Sequence, residues 1–209
     1  MIISIYRNSA DGRFSQSTAQ SEKANVRLIE FLKSREAAKK TRCAFCGFNS
    51  PLHQKAIDLN CGVGDLKPVI VCPLCYYSQR IEIAASHKVG KLIYLPGVTQ
   101  PKLNYIYHAL EGVSIEETSA ELKVSVVLGS LKGKLKQSSS GLLAIGPGAD
   151  SLDTMAVALS GLSDWEYVQR HKALKDVLFW PDTERLGEIA STWKNVVYPA
   201  LNALAKKKG

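Results

Sequence analysis

No stretch of this sequence approaches the roughly 18 consecutive apolar residues of a transmembrane helix, so no membrane-spanning helix is expected. The start, MIISIYRNSADGRF, has no basic region followed by an apolar run of about 7–15 residues and does not read as a secretory signal. Cysteine is scarce, at five residues, too few for a disulfide scaffold of this length. The expected setting is the reducing cytoplasm, where paired thiols hold metal rather than form disulfides. Histidine is scarcer still: His53, His87, His108 and His171 show no two- or four-residue spacing with another ligand type that would build a second metal site. Acidic residues are outnumbered, 19 against 27 Lys and Arg, and the resulting net charge of +8 favours an acidic partner. Nucleic acid, an anionic membrane face and an acidic protein segment all qualify. The charge is scattered, and its one run, Lys206, Lys207 and Lys208, reads as a solvated end. No internal repeat is visible.

What is present suffices for one ordinary domain, or one domain with a small appended module: 209 residues with 45% hydrophobic content, enough for a core without disulfides. Residues 1–8 read as a strand, and a basic helix is expected over 22–39 with Val26, Ile29, Leu32 and Phe31 recurring at helical spacing. Residues 91–95 (KLIYL) read as a strand closed by Pro96 and Gly97. A helix follows, with Thr99 at its cap, Pro101 early and Leu103, Ile106, Tyr107 and Leu110 on one face; Gly112 should break it. Ser114 and Glu117 form a capping-box pair opening a second helix towards Leu135, with β-branched residues over 124–128. Residues 136–150 carry Ser, Gly and Pro and read as a loop. Ser163 and Glu166 repeat the capping-box spacing before Trp165, Val168 and Leu174. After Pro181 a helical stripe runs through Leu186, Ile189, Trp193, Val196, Val197, Leu201 and Leu204, and Pro199 should kink it.

The strongest pattern is Cys43-x2-Cys46-x25-Cys72-x2-Cys75, which lets each pair present two thiolates to one tetrahedral ion. Gly47, directly after Cys46, suits a tight knuckle with φ > 0 whose amides point at sulfur. The run from Tyr76 to Glu82 looks helical, and Cys75 in its first turn would face the positive end of the helix dipole. Lys40, Arg42 and Arg80 lie near enough in sequence to offset the charge of a four-thiolate site. A closed four-sulfur shell leaves no position for water or substrate, so a single Zn²⁺ here is structural. Two unrelated pairs, or a CxxC redox motif, are the competing readings. Cys61 reads as a free thiol, and His53, between the pairs, as a bystander to a complete cysteine set.

The order of knuckle, loop, apolar strand, second pair and helix resembles the treble-clef metal core of HNH endonucleases. In those enzymes a histidine on the strand between the pairs activates water, and a further histidine often follows the last cysteine. The corresponding positions here are in Lys55-Ala56-Ile57-Asp58-Leu59 and at Tyr76. Ala56 supplies no general base and Lys55 a poor one, so the comparison implies a retained scaffold without the nuclease chemistry.

A closer resemblance is to the DotN (IcmJ) family, the zinc-containing subunit of the coupling complex in type IVB (Dot/Icm-type) secretion systems. It rests on Cys43-Ala-Phe-Cys46-Gly47-Phe48, Val71-Cys72-Pro-Leu-Cys75, Leu92-Ile93-Tyr94-Leu95-Pro96, Thr99-Gln100 and Leu103-Asn104, and covers about residues 41–110. The resemblance implies a non-enzymatic adaptor that docks on the C-terminal extension of a coupling ATPase and meets other subunits of the complex. It would be cytoplasmic and reach the inner membrane through that complex, in effector secretion or in plasmid conjugation. The expected architecture is α+β: an N-terminal segment and zinc module over 1–97, packed against a mainly helical region over 98–209. A nucleic-acid-binding zinc protein is the rival reading, drawn from the basic balance and from Tyr76 and Tyr77 beside the knuckle.

Overall fold

The computed structural model describes residues 2–5, 23, 25–30, 42–49, 52–58, 67–113, 129, 130, 133, 142 and 147–206. Outside these residues fall Cys61, Lys40, Lys207, Lys208, the Ser114–Glu117 capping pair, residues 124–128 and most of the loop expected over 136–150.

The fold is α+β, built on two separate antiparallel ribbons. β1 (Lys55–Asp58) pairs with β2 (Pro68–Val71) in the register Lys55 to Val71 through Asp58 to Pro68. β3 (Gly90–Tyr94) pairs with β4 (Val177–Pro181), Gly90 facing Pro181 and Tyr94 facing Val177. Between the ribbons lie α1 (Pro73–Gln79) and α2 (Ile81–Ser86), and α3 (Gln100–Val113) follows β3. α4 (Leu152–Ser160) and α5 (Asp164–Ala173) precede β4. After it come α6 (Glu188–Thr192), a π-helical turn (Trp193–Val197) and α7 (Tyr198–Lys206). No described helix is long and apolar enough to cross a membrane.

β4 was not visible as a strand in the sequence, because Val-Leu-Phe-Trp-Pro is buried on both faces and so shows no alternation. Pro181 ends it, and the next residue, Asp182, returns its N–H to the Val89 carbonyl at 2.8 Å. Gly90 opposite has no room for a side chain: an added Cβ would stand 2.6 Å from the Phe179 ring.

The helix expected from Tyr76 to Glu82 is two helices, broken at Arg80 (φ −142°, ψ 60°). The cause is tertiary. Residues 2–5 join no ladder; instead Ser4 N–H donates to the Ser78 carbonyl and the Ser4 carbonyl accepts from Ile81 N–H, both at 3.1 Å. Backbone groups freed by the break thus find partners on the N-terminal segment. That segment is held from the other side by Tyr167, whose hydroxyl accepts from Ile5 N–H at 3.0 Å and donates to the Ile5 carbonyl at 3.2 Å.

Other expectations shift similarly. Gly112 does not end α3, which continues to Val113; the Tyr198 ring lies 3.7 Å from where a Cβ would sit, and Asn202 Nδ2 donates to the Gly112 carbonyl. Within the first helical stretch residues 25–30 are helical, but Val26 is exposed and Leu28 packs on Ala56 and Ile70 instead. Leu142, expected in a loop, is helical and buried. The Ser163–Glu166 capping box forms as read and starts α5, though Trp165 and Val168 point to solvent. Leu186, expected on the last helical stripe, lies in the turn before α6 and is buried; on the helical stretch itself Trp193 and Val197 are buried, whereas Val196 and Leu204 are exposed. Pro199 acts by widening the preceding turn: it has no N–H for an i−4 carbonyl, and the π turn absorbs the mismatch. One continuous core gathers Ile3, the cysteines, β3, β4, Leu103, Tyr107 and Trp193.

Candidate metal centre

Local backbone chemistry builds the knuckle. Cys43 N–H donates to the Phe48 carbonyl at 2.9 Å and Gly47 N–H to the Cys43 carbonyl at 3.0 Å, closing a tight turn under the Arg42–Asn49 bridge. Gly47 sits at φ +73°, the left-handed region a glycine enters without steric cost. Phe45 N–H donates to Cys43 Sγ at 3.4 Å, and Ala44 N–H fastens the knuckle to the Ile70 carbonyl of β2 at 3.0 Å.

The second pair comes from the end of the same ribbon. Cys72 follows β2 and is the N-cap residue of α1, extended at φ −72° and ψ 160°; its carbonyl accepts the first helical bond, from Tyr76 N–H. Pro73 suits the first helical position because its missing N–H would be unpaired there anyway. Cys75 is therefore the third residue of the helix, in its first turn.

These four sulfurs converge. The Sγ atoms of Cys43, Cys46, Cys72 and Cys75 all lie within 4.8 Å of one another, and Cys46 Sγ and Cys72 Sγ are 3.6 Å apart. A tetrahedral Zn²⁺ with bonds of about 2.3 Å requires sulfurs about 3.8 Å apart, so the cluster fits such an ion with little adjustment. Cys43, Cys72 and Cys75 are buried and Cys46 half-buried. Within the set the thiols pull one another in opposite directions. Hydrogen bonds from Cys46, Cys72 and Cys75 pull Cys43 towards ionisation, whereas burial pushes the Cys72 thiol well up. Cys75 is raised as well, by its hydrogen bonds to Cys43 and Cys46. Four thiolates at this spacing become compatible when a divalent cation sits among them.

Surrounding side chains are equally specific. Asn104, on α3, donates from Nδ2 to Cys75 Sγ at 3.2 Å, and is wholly buried. His108, one turn on, stacks on Phe48 of the knuckle at 3.4 Å between ring centres and shares a 2.9 Å hydrogen bond between Nδ1 and the Tyr198 hydroxyl. Burial holds its pKa down to about 3, against the opposing pull of Cys43. Its Nε2 is buried with no hydrogen-bond partner among the described residues, as a neutral ring tolerates better than a charged one. Behind Tyr198 lies a cavity of about 220 Å³ lined by Tyr107, Glu111, Thr183, Ser191 and Trp193.

His53 stands apart from the cluster, its Nε2 2.9 Å from Thr192 Oγ1. The Arg80 guanidinium donates to the Gln79 carbonyl at 2.7 Å. Tyr76 and Tyr77 are buried, edge to face at 5.9 Å, and Lys55 Nζ lies 5.7 Å from the Tyr76 ring centre. The sequence reading missed Gln100, Asn104 and His108 as site residues. Their signal was a spacing of four, which places three polar residues on one helix face beside the apolar one. No family model matches this chain, and no curated protein sequence matches it.

Proposed function

We propose that this chain is a structural zinc-binding adaptor without catalytic activity, of the DotN (IcmJ) type, working in the coupling complex of a type IVB secretion or conjugation system. In this reading the knuckle, the β1–β2 ribbon and α1 form a treble-clef module akin to that of HNH enzymes, holding one Zn²⁺ through Cys43, Cys46, Cys72 and Cys75. The ion supplies cross-linking of two chain segments, and the residues around it orient and bury the thiolates.

The observation that carries the proposal is a coincidence of two sets of residues. Most of those on which the resemblance rests, Cys43 to Phe48, Val71 to Cys75, Leu92, Ile93, Leu95, Gln100, Leu103 and Asn104, meet at the metal centre or in the core beside it, while Tyr94, Pro96 and Thr99 lie at the surface. Where an HNH enzyme carries histidines this chain has Ala56, buried in β1, and Tyr76, buried in α1, and neither serves as a general base. The partner is the C-terminal extension of a coupling ATPase, recognised by a few desolvated anchors, with the positive surface steering acidic segments.

A calorimetric titration tests this reading, with the ATPase segment in one series and duplex and single-stranded DNA in another, each across a range of salt. Saturable heat with the protein segment and none with DNA is expected. DNA binding that weakens steeply with salt, and no heat with the segment, transfers the assignment to a nucleic-acid-binding zinc protein, since each phosphate contact releases a counterion.

A further inference from the structure

We infer that Asn104 and Gln100 are positioning residues for the metal centre: they form a buried relay that carries the placement of β4 to Cys75 Sγ and couples metal affinity to the second ribbon. The inference rests on the tetrad being a zinc site.

The relay begins at a backbone group whose polarity is fixed. Phe179 N–H donates to Gln100 Oε1 at 2.7 Å, and Gln100 Nε2 donates to the Phe179 carbonyl at 2.9 Å. A flipped amide would set donor against donor and acceptor against acceptor, so the Gln100 orientation is determined. Its remaining Nε2 hydrogen then meets Asn104 Oδ1 at 2.8 Å. Asn104 Oδ1 is thereby engaged as an acceptor, which turns Nδ2 to Cys75 Sγ at 3.2 Å. Gln100, Asn104, Phe179 and Cys75 are each 0% exposed, so water cannot replace any link.

Polar groups buried this completely are costly unless every bond is made, and here the last donor is aimed at a sulfur. An N–H donated to a metal-bound thiolate spreads its charge and fixes its direction, and partners outside the ligand shell typically change metal affinity about 10- to 100-fold. Since Gln100 touches no sulfur, its effect passes through Asn104. Coupling of this kind is reciprocal: what holds β4 in place strengthens metal binding, and metal binding strengthens the hold on β4.

The test is chelator competition for zinc on the full chain, with thermal melting in parallel. Asn104→Leu should weaken zinc by about 10- to 100-fold, Gln100→Leu by a smaller factor, and the double variant by no more than Asn104→Leu alone. Wild-type affinity in both single variants, with lower melting temperatures, overturns the relay and leaves a purely structural role. Loss confined to Asn104→Leu, with Gln100→Leu unaffected, overturns the coupling to β4. Should the variants fail to fold, cadmium-loaded wild-type protein decides: a scalar coupling between the Asn104 side-chain amide protons and the metal nucleus is expected, and its absence overturns the inference. A wild-type chain that takes up no zinc defeats the metal-centre reading itself, an outcome distinct from all of these.

Discussion

The two ribbons have the same simple topology and are held by different means. β4 is buried along its whole length and β3 at its centre: Leu92, Ile93 and residues 177–180 are all at most 5% exposed, while Tyr94 at the end of β3 reaches solvent. Burying a large apolar side chain contributes about 1.5–3 kcal/mol, so this ribbon has its own hydrophobic support. β1 and β2 run four residues each, with half-exposed positions at Lys55, Asp58, Pro68 and Val69. A short two-stranded ribbon is marginal alone, and this one lies between the knuckle and Cys72, where a metal ion would clamp it. One ribbon is thus stabilised by burial, and the other would be stabilised by coordination.

Removing a metal ligand is the harshest way to separate them. Metal binding contributes about 10–16 kcal/mol of apparent free energy in small zinc modules, so Cys72→Ser should lose zinc and unfold at least the first ribbon. Hydrogen exchange should rise sharply at Ala56 and Ile70 and much less at Leu92 and Phe179. A full complement of zinc with an unchanged melting curve contradicts this.

The reverse experiment strikes the second ribbon. Gly90→Ala drives a methyl against the Phe179 ring and the Trp180 carbonyl, both part of a packed core. Overpacking of this kind costs about 1–3 kcal/mol, to be read as a lower denaturant midpoint. Zinc stoichiometry should stay at one, with the affinity lowered because Phe179 anchors Gln100. Loss of zinc instead would mean that the ribbons do not separate.

His108 lies on the seam, stacked on the knuckle and bonded to α7. Its folded-state pKa of about 3 lies below the ordinary 6.5, so the unfolded chain binds the extra proton first. Stability is therefore fully present above about pH 6.5 and lost as pH falls towards 3, by up to about 1.4 kcal/mol per pH unit. Denaturation of wild type and His108→Gln between pH 7 and 5 should show that slope in their difference; a flat difference contradicts it. Ser163→Ala provides the smallest effect, about 1 kcal/mol from the loss of an exposed cap, and should leave both ribbons and the metal untouched. A change in zinc content there would blur the comparison.

Much of the metal centre was legible because its signal is local: four cysteines at fixed spacing, and a glycine where the turn needs φ > 0. The same holds for β3, bounded by Pro96 and Gly97, and for the capping box at Ser163. What escaped depends on distant contacts. β4 has no alternation because both its faces are covered, and the break at Arg80 exists because Ser4, some 76 positions earlier, takes the bonds. Gly112 stays helical under the cover of Tyr198 and Asn202. Helical periodicity read from apolar residues alone also hides a row such as Gln100, Asn104 and His108, whose value lies in what their amides and ring meet.

The π turn decides which side chains of the C-terminal helix meet His108. In an α-helix Tyr198 would stand about 140° around the axis from Trp193, facing away from it. Tyr198 N–H instead reaches the Trp193 carbonyl, five residues back, and the two rings share the buried side on which His108 waits. A π turn is topologically a one-residue insertion into a regular helix. Removing one residue between 193 and 197 would let a regular helix form and would present another side chain to His108. Length at that point, rather than the identity of any one residue, selects the partner of the ring behind the knuckle.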